Sequence, residues 1–422
     1  MVRTTSVTKA GARLRPSDVK SRSTARRGRT DRKRAAVVDD AILIYASTLA
    51  ADMRHVIPHD VHDPFLYIEI GGAPHVAIKS LEAARMRDVP GMTVFPLDEL
   101  GFDDFRAAGQ DPDLAELSTL VAACRRLGVS AAAVPPTFPL EVADHLRANG
   151  IDVQVDRDLF VQRRRVKTPH ELAGIRRAQV AAEAGVSLVA DAIDRATLDA
   201  DGGLVLDGVP LTCEDLKDRI RAVFLRNGCE DAGMIVAHGP QTCIGHHAGS
   251  GQILAGEPVT VDICPRDIAS GGNSDMTRTF VKGDIDDELA FYYDIVKKSF
   301  DATLAAIRPG LPVAELHRIS CEPIEAAGQP TQLTKKPGEV LDEGYFHSLG
   351  HGVGLEVHEP PSLNQNDAVL VAGDVIAIEP GCYRQGFGGV RLEDIVLVTE
   401  DGYELISDYP YELTPVSLPR GK

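Results

Sequence analysis

Short apolar runs alternate with amphipathic stretches over the first third of the chain, and long helical stripes with two apolar hairpins follow. Ile42-Leu43-Ile44-Tyr45 reads as a strand. Phe65 to Ile70 and His75 to Ile78 read as a pair of strands around Gly71-Gly72, because adjacent glycines supply the positive φ that a tight turn needs. Leu114 to Leu127 keeps a helical period, and Ala131 to Val134 is a small strand. Leu140 to Asn149 reads as a helix stopped by Gly150, with Ile151-Asp152-Val153 as a strand after it. The alternation predicts an α/β domain over residues 38–165.

A boundary is expected near Arg163-Arg164-Arg165-Val166-Lys167. Thr168-Pro169-His170-Glu171 has the form of a capping box with proline at the first helical position. The helix it opens should run to about Ala196. Leu172, Ile175, Ala182, Val186, Val189 and Ile193 form its stripe, and Gln179 is the one polar interruption. A second helix is expected over Glu214 to Arg226. An apolar hairpin then runs from Val259 through Ser270-Gly271-Gly272-Asn273 to Val281. The order recurs with helices over Asp287 to Ile307 and Val313 to Ala327, and a hairpin from Val375 to Val398. Helix, helix, hairpin, twice, predicts a pseudo-symmetric α+β domain over residues 166–422.

A chain of 422 residues suits two domains and an extension. No apolar run approaches the roughly 18 residues that cross a bilayer, and the first residues lack the apolar core of a secretory signal. The seven cysteines are odd in number, scattered and free of a C-x-x-C pair, which predicts reduced thiols in a cytoplasmic protein. Residues 1–37 carry 12 Lys and Arg against Asp18 and Asp31, in a chain whose net charge is −17. This stretch reads as a basic, disordered tail. The strongly acidic remainder argues against a nucleic-acid-binding core. His55, His59, His62 and His75 have no spacing that suits a metal site.

The chemistry gathers in the last two fifths of the chain. Asp262 is expected to end one strand of the first hairpin, with Asp275 opening the other 13 residues later. Glu379 is expected to end one strand of the second hairpin. Glu393, 14 residues on, is expected on the return strand, on the same face as Arg391. Between the pairs lies the glycine-rich segment Phe346-His347-Ser348-Leu349-Gly350-His351-Gly352-Val353-Gly354-Leu355-Glu356-Val357-His358. Four carboxylates at one centre repel and take up protons unless cations neutralise them. Two divalent cations would balance that charge and activate water. A further histidine-bearing segment, Ile235 to His247, precedes the first hairpin.

Val261-Asp262-Ile263, Ser274-Asp275-Met276-Thr277-Arg278-Thr279, Gly350-His351-Gly352-Val353-Gly354-Leu355, Ile378-Glu379-Pro380-Gly381 and Arg391-Leu392-Glu393-Asp394 resemble the signature blocks of the pita-bread metallopeptidases. That family includes Xaa-Pro aminopeptidase, Xaa-Pro dipeptidase (prolidase), methionine aminopeptidase and the metal-free creatinase. Lys167 to Leu172 is similar to the junction used by the Xaa-Pro and creatinase branch. The resemblance implies a pita-bread catalytic domain after a smaller creatinase-like α/β domain. It implies two divalent ions, Mn²⁺ first, with Co²⁺, Fe²⁺ or Zn²⁺ as other occupants. Asp262 would bind one ion, Asp275 and Glu393 would bridge both, and His351 and Glu379 would complete the other. A hydroxide shared by the ions would attack the scissile carbonyl of a small peptide, and Glu379 would carry the proton to the departing nitrogen. His246, His347 and His358 correspond to the family's other histidines, with Tyr383 and Arg391 as supporting residues. A homodimer or tetramer is implied as well.

Two departures stand out. The Asp262 to Asp275 interval is two residues longer than the family's usual one, and Cys264 replaces the usual glycine. The alternatives are a creatinase-like hydrolase of a small amide or guanidino compound, and a catalytically inactive pita-bread binding module. The intact ligand set counts against both.

Overall fold

The structure is a computed structural model that describes residues 41–416. The basic run 1–37 lies outside the described residues. Chain order begins with β1 (Ala41–Ala46), α1 (Ala51–Val56), β2 (Phe65–Ile70), β3 (Ala73–Ile78), α2 (Ser80–Arg87), β4 (Thr93–Pro96), α3 (Phe102–Ala107), α4 (Pro112–Arg126), β5 (Ala131–Val134), α5 (Leu140–Ala148), β6 (Asp152–Val155) and α6 (Arg157–Arg165). The strands form one mixed sheet, β4-β3-β2-β1-β5-β6. Successive residues of β1 serve opposite faces. Leu43 joins an apolar cluster with Leu66 and Ile68, whereas Ile42 and Ile44 join another with Phe65 and Tyr67. With both faces covered, these strands read as nearly continuous apolar runs.

The expected boundary segment is helical. In α6, Asp156 caps the N-terminus through Leu159 N, and the three arginines fill the last turn, where positive charge suits the helix dipole. Arg163 reaches back to Glu69 at 2.8 Å, and Arg165 reaches forward to Asp374 at 2.6 Å.

After α6 come α7 (Pro169–Arg195), β7 (Thr197–Leu198), β8 (Leu204–Leu206), β9 (Val209–Pro210), α8 (Cys213–Arg226), β10 (Cys229–His238), β11 (Pro258–Asp267), β12 (Met276–Val281), α9 (Asp287–Ala306) and α10 (Val313–Ala326). The chain continues with β13 (Glu343–Gly344), β14 (Gly350–Gly352), β15 (Glu359–Leu363), β16 (Val375–Ile378), β17 (Gly381–Arg384), β18 (Gly388–Arg391), β19 (Asp394–Val398) and β20 (Tyr403–Leu405). The capping box at Thr168 and Glu171 forms with both of its reciprocal bonds. The stripe of α7 is buried from Ile175 on, with Leu172 half-buried at its start, and Gln179 is satisfied inside it. Gln179 Oε1 accepts from Ser274 Oγ at 2.6 Å, beside Asp275. The polar interruption is therefore a tether to a candidate ligand.

Each helix pair is followed by sheet, in the expected order, but both hairpins are more elaborate than expected. The first is a three-stranded sheet, because β10 pairs with β11 along its length. Its Glu230 and Asp231 hide the strand from an apolar pattern. With β10 beside it, β11 continues to Asp267, so Asp262 sits in mid-strand between Ile235 and Thr277 and does not end the strand. In the second, β16 pairs with β19 as expected within the sheet β15-β14-β16-β19-β20. The intervening residues fold back at Gly386, whose φ of +79° suits glycine, into a separate hairpin β17–β18. Arg391 therefore ends β18, while Glu393 lies between β18 and β19 and bridges to Thr277. The two do not share a strand.

Candidate metal centre

The five expected ligands arrive from five places: mid-β11 (Asp262), the approach to β12 (Asp275), the centre of β14 (His351), the residue just past the end of β16 (Glu379) and the β18–β19 link (Glu393). All five line one cavity of about 800 Å³, together with His246, His347, His358, Arg391 and Cys264. Ligand atoms of Asp275, His351 and Glu393 lie within 4.8 Å of one another, and so do those of Asp262, Cys264 and Asp275. The strand carrying His351 runs between β15 and β16 at very close range. A Cβ on Gly350 would stand 2.0 Å from the Ala377 carbonyl oxygen, so only glycine fits beside His351.

Hydrogen bonds fix the histidine tautomers. His351 Nδ1 faces the Gly352 carbonyl oxygen at 3.1 Å; a carbonyl only accepts, so Nδ1 carries the proton. The lone pair of Nε2 then faces Asp275 Oδ2 at 3.7 Å and Glu379 Oε1 at 3.8 Å. A lone pair held among carboxylate oxygens is repulsive without a cation between them. Burial, and then neighbouring His358, lowers the His351 pKa to about 4, which keeps it neutral and able to ligate. His347 Nδ1 likewise donates to Ser348 O at 2.9 Å, so its Nε2 accepts from the Tyr383 hydroxyl at 3.0 Å. Tyr383 in turn accepts from Arg391 Nη1 at 3.2 Å, and Arg391 Nη2 donates to Asp262. Burial lowers the His347 pKa to about 3 and raises that of Tyr383 to about 12.

The carboxylates carry the opposite strain. Burial first, and then the charges of Glu393 and Asp262, raise Asp275 well above its ordinary pKa. Burial and Glu393 do the same to Glu379. Glu393 is raised to about 8, by burial and then Asp262. Metal-free, this site holds protons it would release to divalent cations. Hard oxygen donors with one neutral imidazole fit such ions.

Residues without an expected role complete the centre. Thr277 Oγ1 donates to Glu393 Oε2 at 2.6 Å. Arg278, fully buried, donates to the carbonyls of Glu393 at 2.8 Å and Pro410 at 2.7 Å and to the Asp394 carboxylate at 3.0 Å. The signal was present: an arginine inside the otherwise uncharged strand Met276–Val281 must be buried with its partners. Cys264 donates to Asp275 Oδ1 at 3.1 Å and is buried, as a small strand residue would be. Among the upstream histidines, His238 binds Glu257 at 2.6 Å, and His247 Nδ1 accepts from Gly249 N at 3.0 Å within its own loop. His246 is exposed at the cavity.

The family model of Metallopeptidase family M24 matches residues 173–400, a span that holds all five expected ligands. The chain is 30% identical over 356 residues to a protein named Probable dipeptidase PepE from Mycobacterium tuberculosis, covering 83% of this chain and 86% of that one. It is 35% identical over 199 residues to an Xaa-Pro dipeptidase of Pyrococcus furiosus, covering 46% of this chain and 53% of that one. The fold superposes on a prolidase from Pyrococcus horikoshii OT3 with a TM-score of 0.67 and 25% identity, over 89% of this chain and 95% of that one. It superposes on dipeptidase PepE from Mycobacterium ulcerans with a TM-score of 0.65 and 27% identity, over 89% and 92% of the two chains. On this fold, this centre and these relatives, the chain belongs to metallopeptidase family M24, in the pita-bread branch of the Xaa-Pro dipeptidases and aminopeptidases.

Proposed function

We propose that this metallopeptidase uses two divalent ions, Mn²⁺ first among them, to hydrolyse the bond before proline in Xaa-Pro dipeptides or at peptide N-termini. The observation that carries the reading is the convergence of Asp275, His351 and Glu393, with Asp262 and Glu379 in the same cavity. Asp262, Asp275, His351, Glu379 and Glu393 would hold the ions, which supply Lewis acidity to water and to a carbonyl when bound. Glu379 takes the proton of the attacking water and delivers it to the departing nitrogen. His358 and His246 donate to the carbonyl oxygen as charge develops there. His347, with both ring nitrogens engaged, orients Tyr383 and Arg391. An Xaa-Pro bond lacks an amide hydrogen and has a restricted backbone, so a dedicated site is chemically sensible. The relatives named as dipeptidases, one of them an Xaa-Pro dipeptidase, support this substrate class.

The same proposal takes residues 38–165 as the N-terminal domain and 166–422 as the catalytic one, and expects a homodimer or tetramer. Seven free, buried thiols support a cytoplasmic location. Among the described residues no helix is long and apolar enough to cross a membrane. The deciding experiment is hydrolysis by metal-reconstituted protein of Xaa-Pro, Xaa-Pro-Xaa and matched peptides without proline. Release of proline, or of the first residue, only where proline follows it supports the reading. Equal rates without proline, or full activity after thorough chelation, sink it.

A further inference from the structure

We propose that Glu359 is a positioning residue for His358, and that Lys167, in the α6–α7 junction, holds it in place. The inference rests on the proposed role of His358 at the scissile carbonyl. Glu359 directly follows His358 and opens β15, where its register partner is Gly352, the residue after His351. His351 lies in β14 and His358 immediately precedes β15, so the two histidines sit at one end of a short ladder, with ring centroids 4.1 Å apart. Any shift of Glu359 along that ladder moves the His358 ring relative to His351.

Glu359 is fixed by charge and by space. Its side chain is 2% exposed and pairs with Lys167, itself 3% exposed. Lys167 also donates to the Arg164 carbonyl at 2.7 Å, so the ammonium is held from two sides. The second carboxylate oxygen, Oε2, is buried without a hydrogen bond among the described residues, and Arg164 Nη2 stands 4.0 Å away. The carboxylate also fills the space beneath the turn that leaves His351. A Cβ on Gly354 would lie 2.4 Å from Glu359 Oε1. The far end of that turn is pinned independently, since Asn273 donates to the Gly354 carbonyl through N at 2.8 Å and Nδ2 at 2.9 Å. His358 therefore sits on a loop clamped at Gly354 by Asn273 and at Glu359 by Lys167. A buried carboxylate lining the cavity, paired with a lysine outside it, is poorly explained by stability alone, because such pairs repay little of their desolvation.

The test is a double-mutant cycle in the full-length, metal-loaded protein. Glu359→Gln and Lys167→Met should each lower kcat on an Xaa-Pro peptide by roughly 10- to 100-fold, the usual loss for a group that orients a catalytic one. KM and metal content should stay as in the wild type, and Lys167→Arg should recover most of the rate. In a His358→Ala background, Glu359→Gln should cost nothing more. Losses that multiply across the two backgrounds overturn the proposal, because a general structural effect would add to the loss of His358. Should Lys167→Met fail to fold, the Glu359→Gln and His358→Ala cycle still decides. Should the wild type hydrolyse no Xaa-Pro peptide, the functional reading fails while this one remains measurable. Glu359→Gln should then still move the His358 ring nitrogen resonances, in metal-free and Zn²⁺-loaded protein alike, and an unmoved His358 signal rejects it.

Discussion

Thr277 and Glu393 meet twice: the hydroxyl donates to Glu393 Oε2 at 2.6 Å, and the two backbones bridge, with Glu393 N donating to Thr277 O at 3.1 Å. The second carboxylate pair is thereby hung on the first sheet, so a candidate ligand from late in the sequence meets those of β11 and the approach to β12. Thr277→Val keeps the shape and removes the hydroxyl. A buried carboxylate that loses such a bond costs about 1 to 3 kcal/mol. The expected result is a 10- to 100-fold lower kcat, roughly, with weakened metal binding. Steady-state kinetics and metal analysis read both, and wild-type values for the two would detach Thr277 from the centre.

Asp275 and Glu393 are the carboxylates proposed to be shared between the ions. Removing either takes a ligand from both, so Asp275→Ala and Glu393→Ala should abolish turnover and lower metal stoichiometry. Asp262→Ala should leave one ion bound. Metal content by mass spectrometry separates the cases, and near-normal turnover in either shared-ligand variant contradicts the bridging assignment.

Metal-free protein should lose stability as the pH rises from about 6.5 to 8. Glu393, raised to about 8 in the fold, binds a proton there that the unfolded chain has already released, and Asp275 and Glu379 are shifted in the same direction. The folded state therefore holds more protons than the unfolded one, so stability falls with rising pH, by about 1.4 kcal/mol per pH unit for each full proton of difference. His351 and His347, lowered to about 4 and about 3, act below this window. They add stability as the pH rises towards 6.5 and nothing beyond it. Bound cations require the ionised carboxylates, so the loaded protein should lack this decline, and apparent metal affinity should climb across the same window. Thermal melts with and without chelator at several pH values check the sign. A metal-free protein that gains stability between pH 6.5 and 8 rules this account out.

The helical stripes, the capping box and the paired apolar strands were legible because each rests on a local period or a local bond. The candidate ligand set was read through its resemblance to a known family, and the five side chains it names line one cavity. What escaped notice depends on long-range pairing. β10 is concealed by Glu230 and Asp231, and only pairing with β11 reveals why Asp262 is a mid-strand residue. The β17–β18 hairpin breaks what reads as one return strand, and the placement of Glu393 depends on a bridge to a threonine 116 residues earlier. The link from Lys167 to Glu359 spans 192 residues, which no period in either segment can signal.

Arg391 joins three groups at once, and this makes its replacement the sharpest probe of how charge is arranged here. Nη2 donates to Asp262, Nη1 to the Tyr383 hydroxyl at 3.2 Å, and Nε lies 3.4 Å from Thr277 Oγ1. Lysine offers one compact ammonium in place of a planar fork, so Arg391→Lys can serve Asp262 only by leaving Tyr383 and Thr277. A loss of about 10- to 100-fold in kcat is expected. Arg391→Met goes further, because it removes a positive charge beside a proposed ligand. Divalent cations should then bind more tightly, since Asp262 no longer has a competing partner, even as turnover falls below that of the lysine variant. Competition against a chelator gives the affinity, and kinetics at saturating metal gives the rate. Weaker metal binding in Arg391→Met would show that the guanidinium chiefly orients Asp262 and does not compete for it.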